Sequence, residues 1–268
     1  MKHFAVSLLL PLVITGCALD PGGAPIEQSA KQANADGRLT LFSANPPGGI
    51  PEGWKPLIIL RNKKQTEYQL VRKEGKTVLH ARANSASSAL MHTLNVDPAG
   101  RPWLQWQWKI PALLKAADNT QRATEDSPVR IVLGFDGDKE KLPFTDQVLF
   151  ETAKVVTGHD FPYATLMYIW ENNAPVGTII RSTYSSRIKM MVAESGSAGI
   201  GEWRAFTRNI VEDYEKAFGE KPGRLIGIGV LTDTDNTGES TEAWYGDIRL
   251  LREAVLPVNT SLTLPQVQ

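Results

Sequence analysis

Cysteine is all but missing from this chain: Cys17 is the only one. A disulfide within the chain is therefore excluded, and the fold has to rest on its apolar core. An excess of either charge is also missing, with 29 basic and 29 acidic residues, which argues against the basic surplus of a nucleic-acid-binding domain. Only four histidines occur, and His80, His92 and His159 are spaced too widely for a zinc motif. Gly196-Ser197-Ala198-Gly199 lacks the spacing of a nucleophile elbow. Gly196, Gly199 and Gly201 fall between two strand candidates, as a loop does and a dinucleotide cradle does not. No apolar run reaches the roughly 20 residues of a membrane-spanning helix.

The longest such run, Phe4 to Ile14, follows Lys2 and leads into Ile14-Thr15-Gly16-Cys17. A short positive start and a short apolar centre are the parts of an export signal. The last four residues resemble the bacterial lipobox, in which the cysteine is acylated and becomes the first mature residue. The resemblance implies a signal peptide over 1–16, lipidation of Cys17 and, with Ala18 rather than aspartate next, anchoring in the outer membrane facing the periplasm. Two or more acyl chains make a stable anchor. Residues 17–37, rich in Ala, Gly, Pro and Gln, read as a flexible tether. Residues 254–268, with Pro257 and Pro265, read as a C-terminal tail.

Between these, 38–253 carries period-two alternation. Leu104, Trp106, Trp108 and Ile110 share one face while Gln105, Gln107 and Lys109 share the other. Thr66–Arg72 and Thr77–Ala83 flank Lys73-Glu74-Gly75-Lys76, a hairpin pattern. Val129–Asp136, Arg187–Glu194, Trp203–Ile210, Arg224–Thr232 and Ala243–Leu251 read as strands. Ala164–Glu171 and Val176–Arg181 read as a second hairpin around Asn172-Asn173-Ala174-Pro175. Gly227 and Gly229 inside a strand call for a bulky neighbour, and tryptophan is the expected one. Two helices are expected. Thr145–Thr157 has Val148, Thr152, Val155 and Val156 on a stripe and Gly158 as its stop, and Val211–Phe218 ends at Gly219. Many short strands without alternating helices predict an all-β fold, an antiparallel β-sandwich or jelly roll with two short helices.

Several segments together carry a resemblance: Ser85–Ser87, Trp106–Lys109, Arg130-Ile131 with Phe135–Asp138, Tyr163–Asn172, Arg208–Ile210, Asp213-Tyr214, Phe218–Glu220, Gly229–Gly238 and Tyr245–Ile248. Over about residues 39–251 the chain resembles the bacterial domain-of-unknown-function family numbered 3047. The resemblance implies an envelope protein whose sandwich is similar to carbohydrate-binding modules. It implies no established activity and supplies no functional residue.

The residues themselves offer several candidate sites. Asp233, Asp235 and Asn236 form the densest oxygen cluster, and calcium wants six to eight oxygens. The segment opens like an EF-hand loop, but Thr237 and Trp244 stand at its fifth and twelfth positions. The same residues equally describe a turn closed by Gly238 at positive φ. Asp136, Asp138, Trp170, Glu171 and Asn172 end strands, where binding groups concentrate, and pair an aromatic face with acceptors as a sugar requires. Asp136, Glu171 and Asp233 are the carboxylates available to a glycoside hydrolase, provided two lie about 5–9.5 Å apart. Tyr68, His80 and Arg82 are expected to line one polar sheet face. Three readings of function follow. The first is a non-catalytic module binding a glycan or other ligand on the cell envelope. The others are a polysaccharide hydrolase or lyase, and an assembly lipoprotein that contacts another envelope protein.

Overall fold

The computed structural model describes residues 37–58 and 62–255. The expected signal peptide over 1–16, Cys17, all but the last residue of the expected tether, and nearly all of the expected C-terminal tail lie outside the described residues. Among the described residues, thirteen strands build two sheets. The seven-stranded sheet runs in the order β1 (Trp54–Leu57), β4 (Ser87–Val96), β11 (Leu225–Asp233), β6 (Ser127–Phe135), β7 (Ala164–Glu171), β9 (Ile188–Ser195) and β8 (Ile179–Arg181). The second sheet runs β10 (Arg204–Asn209), β5 (Trp103–Lys109), β12 (Ser240–Tyr245), β3 (Lys76–Asn84) and β2 (Glu67–Lys73), with β13 (Arg249–Leu251) also paired to β5. Helix α1 is Phe144–Thr157 and α2 is Ile210–Phe218. The chain is thus the expected β-sandwich with two helices.

Alternation builds the core. Leu104, Trp106 and Trp108 of β5 point inward, where they meet Leu166, Tyr168 and Trp170 of β7 and Val129, Ile131, Leu133 and Phe135 of β6. Trp106 stacks on Tyr168 at 4.8 Å and on Phe206 at 4.9 Å, contacts that add to the burial of large apolar area. The β2–β3 turn has Glu74 and Gly75 both at positive φ (49° and 82°), the backbone of a two-residue type I′ hairpin. Both helices stop at a left-handed glycine, Gly158 and Gly219.

Four expectations need correction. First, β7 and β8 do not form a hairpin: β9 lies between them, parallel to β7 and antiparallel to β8. The apolar residues of β9 alternate between both faces, with Met191 and Ala193 in the main core and Met190 and Val192 in a second cluster. Such a strand belongs inside a sheet, whereas three-residue β8, with exposed Arg181, suits an edge. Second, the strand expected over Ala243–Leu251 breaks into β12 and β13 at Gly246, whose Cβ would lie 2.3 Å from Gln107 Cγ. Third, the side chain over Gly229 is methionine, not tryptophan: Met91 Sδ would lie 2.0 Å from an added Cβ. Fourth, the apolar stripe of α1 points outward: Val148, Val155 and Val156 are exposed.

The seven-stranded sheet has a second covered face. Every residue of β6 is buried, including the outward-pointing Arg130 and Val132. Helix α1 crosses above this face. Near its start Ser186 Oγ donates to Asp146 Oδ2 (2.8 Å), and Gln147 Nε2 donates to the carbonyls of Glu140 and Leu142. Just beyond its end His159 Nε2 donates to the Ile58 carbonyl (2.9 Å). None of the helix's own residues is buried.

Candidate functional site

A cavity of about 540 Å³ lies between α1 and the outer face of the seven-stranded sheet, within the size range of small-molecule sites. Side-chain alternation creates it. Arg130, Met167, Ile188, Leu231 and Asp233 are the residues that point away from the core, and Leu149, Phe150 and Ala153 face them from the helix.

Its polar end is built where β11 finishes and β6 begins, with Asp233 paired in register to Ser127. Asp233 Oδ1 accepts from Arg130 Nε and from the Ser127 amide, each at 3.1 Å. The guanidinium is buried and donates further to the Glu125 carbonyl (2.9 Å) and to Met190 Sδ (3.1 Å). Burial is the largest influence on Asp233 and pushes its carboxyl up to about 7, against the opposing pull of Arg130. Asp126 accepts from the Asn236 amide and from the amide and hydroxyl of Thr237. Asp235 Oδ2 pairs with Lys63 Nζ at 2.6 Å. Glu125 accepts from the Ser182 hydroxyl and from the Thr183 amide and hydroxyl.

Asp126, Asp233 and Asp235 bring ligand oxygens within 4.8 Å of one another. Sequence reasoning supplied two of these three. Asn236 instead uses its amide nitrogen toward the Arg122 carbonyl (2.8 Å). The cluster fits calcium poorly. Lys63 and Arg130 already face its carboxylates, and both Asp126 oxygens carry N–H or O–H donors. A metal would have to displace these before collecting six oxygens. Gly238 has the positive φ (72°) of the expected turn.

The other candidate residues lie elsewhere. Asp136 follows β6 at the opposite end from Asp233, roughly 30 Å away at about 3.3 Å per residue. The structure therefore separates Asp136 from Asp233, whereas Glu171 ends β7 at the same end of the sheet as Asp233. Glu171 turns onto the amides of Asn173 and Ala174 in its own loop. Asp138 caps a short turn through the Glu140 amide and pairs with Lys141 at 3.0 Å. Trp170 is a core residue whose Nε1 donates to the Gly196 carbonyl, and Asn172 ties down the carbonyls of Leu114 and Ala117. His80 stacks on Trp244 and bonds Glu242, while Arg82 pairs with Glu67 on the outer face of the second sheet. Tyr68 does not join them. It pairs in register with inward-facing Ala81, not His80, so its hydroxyl reaches the Ser88 carbonyl inside the sandwich.

Asp126, Arg130 and Lys63 are the site residues that sequence reasoning missed. Arg130 had a usable signal, since a charge inside the run Pro128-Val129-Arg130-Ile131-Val132-Leu133 has to be paired when that strand is buried. Asp126 and Lys63 had none, because only the sheet register and a distant loop bring them to Asp233 and Asp235.

No curated protein matches this chain. Among solved structures it is similar to the cellulose induced protein Cip1 (TM-score 0.36, 10% identity, covering 75% of this chain and 92% of that one). It is also similar to the xyloglucanase domain of NopAA, a type three effector from Sinorhizobium fredii, in complex with cellobiose (TM-score 0.33, 8% identity, covering 77% and 88%). Both scores are too low to carry a ligand or an activity across. Residues 52–249 match the family described as "Protein of unknown function (DUF3047)", and the chain belongs to that family.

Proposed function

We propose that this protein is a non-catalytic binding module that holds a small ligand, with a sugar unit as part of it, in the cavity under α1. The observation that carries this reading is the cavity itself, walled by hydrocarbon and closed at one end by convergent polar groups, the usual build of a ligand site. Phe150, Phe161 and Tyr184 offer ring surface, while Asp235, Asn236 and Arg122 offer donors and acceptors for hydroxyls. The non-catalytic part rests on how the carboxylates are occupied: Glu125 and Asp126 are held by amides and hydroxyls, and Asp233 by Arg130. With the lipid expected on Cys17, such a module would work at the surface of the outer membrane, facing the periplasm.

The test is a glycan array together with pull-down on envelope polysaccharide, with and without calcium, using the chain and its Met167→Trp variant. Binding that the tryptophan abolishes, with the melting temperature held within a few degrees, is the expected result. No binding in any arm overturns the reading. A second reading, contact with another envelope protein, is favoured by one observation. Phe144 (78% exposed), Val155 (83%) and Val156 (69%) leave apolar surface on the outside of α1.

A further inference from the structure

The cavity's two ends differ in chemistry, and the difference follows the strands. Asp233 and Arg130 lie near one end of the β11–β6–β7 ribbon, and Thr165 and Ile188 lie at the other. Between them run about six residues of strand, or ~20 Å at 3.3 Å per residue. The polar end collects Lys63, Arg122, Asp235 and Asn236. Away from it the wall is mostly aliphatic and aromatic, with Met167 and Leu231 on the sheet, Leu149, Phe150 and Ala153 on α1, and Phe161 in the loop beyond, and with Thr157 and Thr165 as polar exceptions at the far end.

The helix makes this arrangement informative. A helix over a sheet ordinarily buries an apolar stripe against it. The stripe of α1 that faces the sheet is apolar at Leu149, Phe150 and Ala153, yet none of these is buried, because the cavity separates them from Met167 and Leu231. Protein interiors are close-packed, and apolar walls that do not meet forgo the contacts that stabilise a core. A sugar alone would satisfy the polar end and leave hydrated hydroxyls against these walls, where they find no partner. A hydrocarbon chain fits them.

We infer that the ligand is an amphiphile, with a hydroxyl-bearing head at the Asp235–Asn236 end and an aliphatic chain lying between α1 and the sheet. This rests on the reading of the cavity as the binding site and names the class of ligand it takes. The head is held by the groups that converge at the end of β11. The chain is held by area alone, so length rather than functional groups sets its affinity.

Calorimetric titration with butyl, hexyl and octyl glucosides below their micellar concentrations, alongside free glucose, tests this on the full chain carrying Cys17→Ser, so that no lipid of its own competes. Affinity is expected to rise about fourfold for each methylene buried, with a negative heat-capacity change, while glucose alone gives no measurable binding. Ala153→Trp, which fills the apolar end from the helix side, is expected to flatten that dependence. Alkyl glucosides that bind no more tightly than glucose, or with an affinity independent of chain length, overturn the inference and leave the binding module standing. If neither glucose, nor the alkyl glucosides, nor any arrayed glycan binds, both fail.

Discussion

Asp233 sits where two opposing influences meet. It is buried, which favours the neutral acid, and it faces Arg130, which favours the carboxylate; burial wins and lifts its carboxyl to about 7. The consequence for stability has a definite sign. An unfolded aspartate titrates near 3.9. Between about pH 4 and pH 7 the folded chain therefore holds a proton that the unfolded chain has lost, and stability falls as the pH rises through that window. The full shift corresponds to on the order of 4 kcal/mol. Asp233→Asn imitates the protonated side chain, so it should match the parent near pH 4 and lose the slope between pH 4 and 7. Urea denaturation at several pH values measures this. A variant that keeps the parent's slope would assign the titration to another group. Arg130 shows why part of the site was legible and part was not. Its charge stands out in an apolar run, but its partner lies 103 residues away, and only sheet pairing makes them neighbours.

At the scale of elements, the legible features were those encoded within a few residues. The alternation of Leu104, Trp106 and Trp108, the Glu74-Gly75 turn, and the glycine stops of both helices each depend on local geometry. β4 went unread because it lies between β1 and β11 and is covered on both faces, with Ala89 and Leu90 adjacent and both buried, which erases the alternation. The place of β9 went unread because parallel pairing leaves no local turn to announce it. The β6–β11 end shows how closely such elements meet. An added Cβ on Gly223 would stand 2.1 Å from the Asp136 carbonyl oxygen, where the next residue's carbonyl accepts the Asp136 amide at 2.8 Å. Since the obstacle is backbone, it cannot rotate away. Gly223→Ala should thus cost about 1–3 kcal/mol, seen as a lower urea midpoint with an unchanged m-value. An unchanged midpoint would mean that the β6–β11 end yields without cost.

Considered as a whole, the molecule divides into a sandwich that holds itself together and a helix laid over it. The main core is shared between the two sheets and contains no residue of α1, whereas α2 contributes Ile210 and Tyr214 to it. The helix is joined to the rest through polar contacts near its start, chiefly Asp146 with Ser186 and Gln147 with two carbonyls. A 14-residue helix is ~21 Å long, a distance that about ten flexible residues span. Replacing Phe144–Thr157 with such a Gly/Ser linker is accordingly expected to leave cooperative unfolding intact. A loss of about 2 kcal/mol or less corresponds to a melting temperature ~4–8 °C lower. The near-ultraviolet dichroism of the Trp106–Tyr168–Phe206 stack should persist, because that stack lies on the far side of the sheet. Ligand binding should vanish, since Met167 and Leu231 would then face water with nothing above them. Should the aromatic dichroism collapse along with the helix, α1 is part of the structural core after all, and the division between a self-sufficient sandwich and a roof over its ligand does not hold.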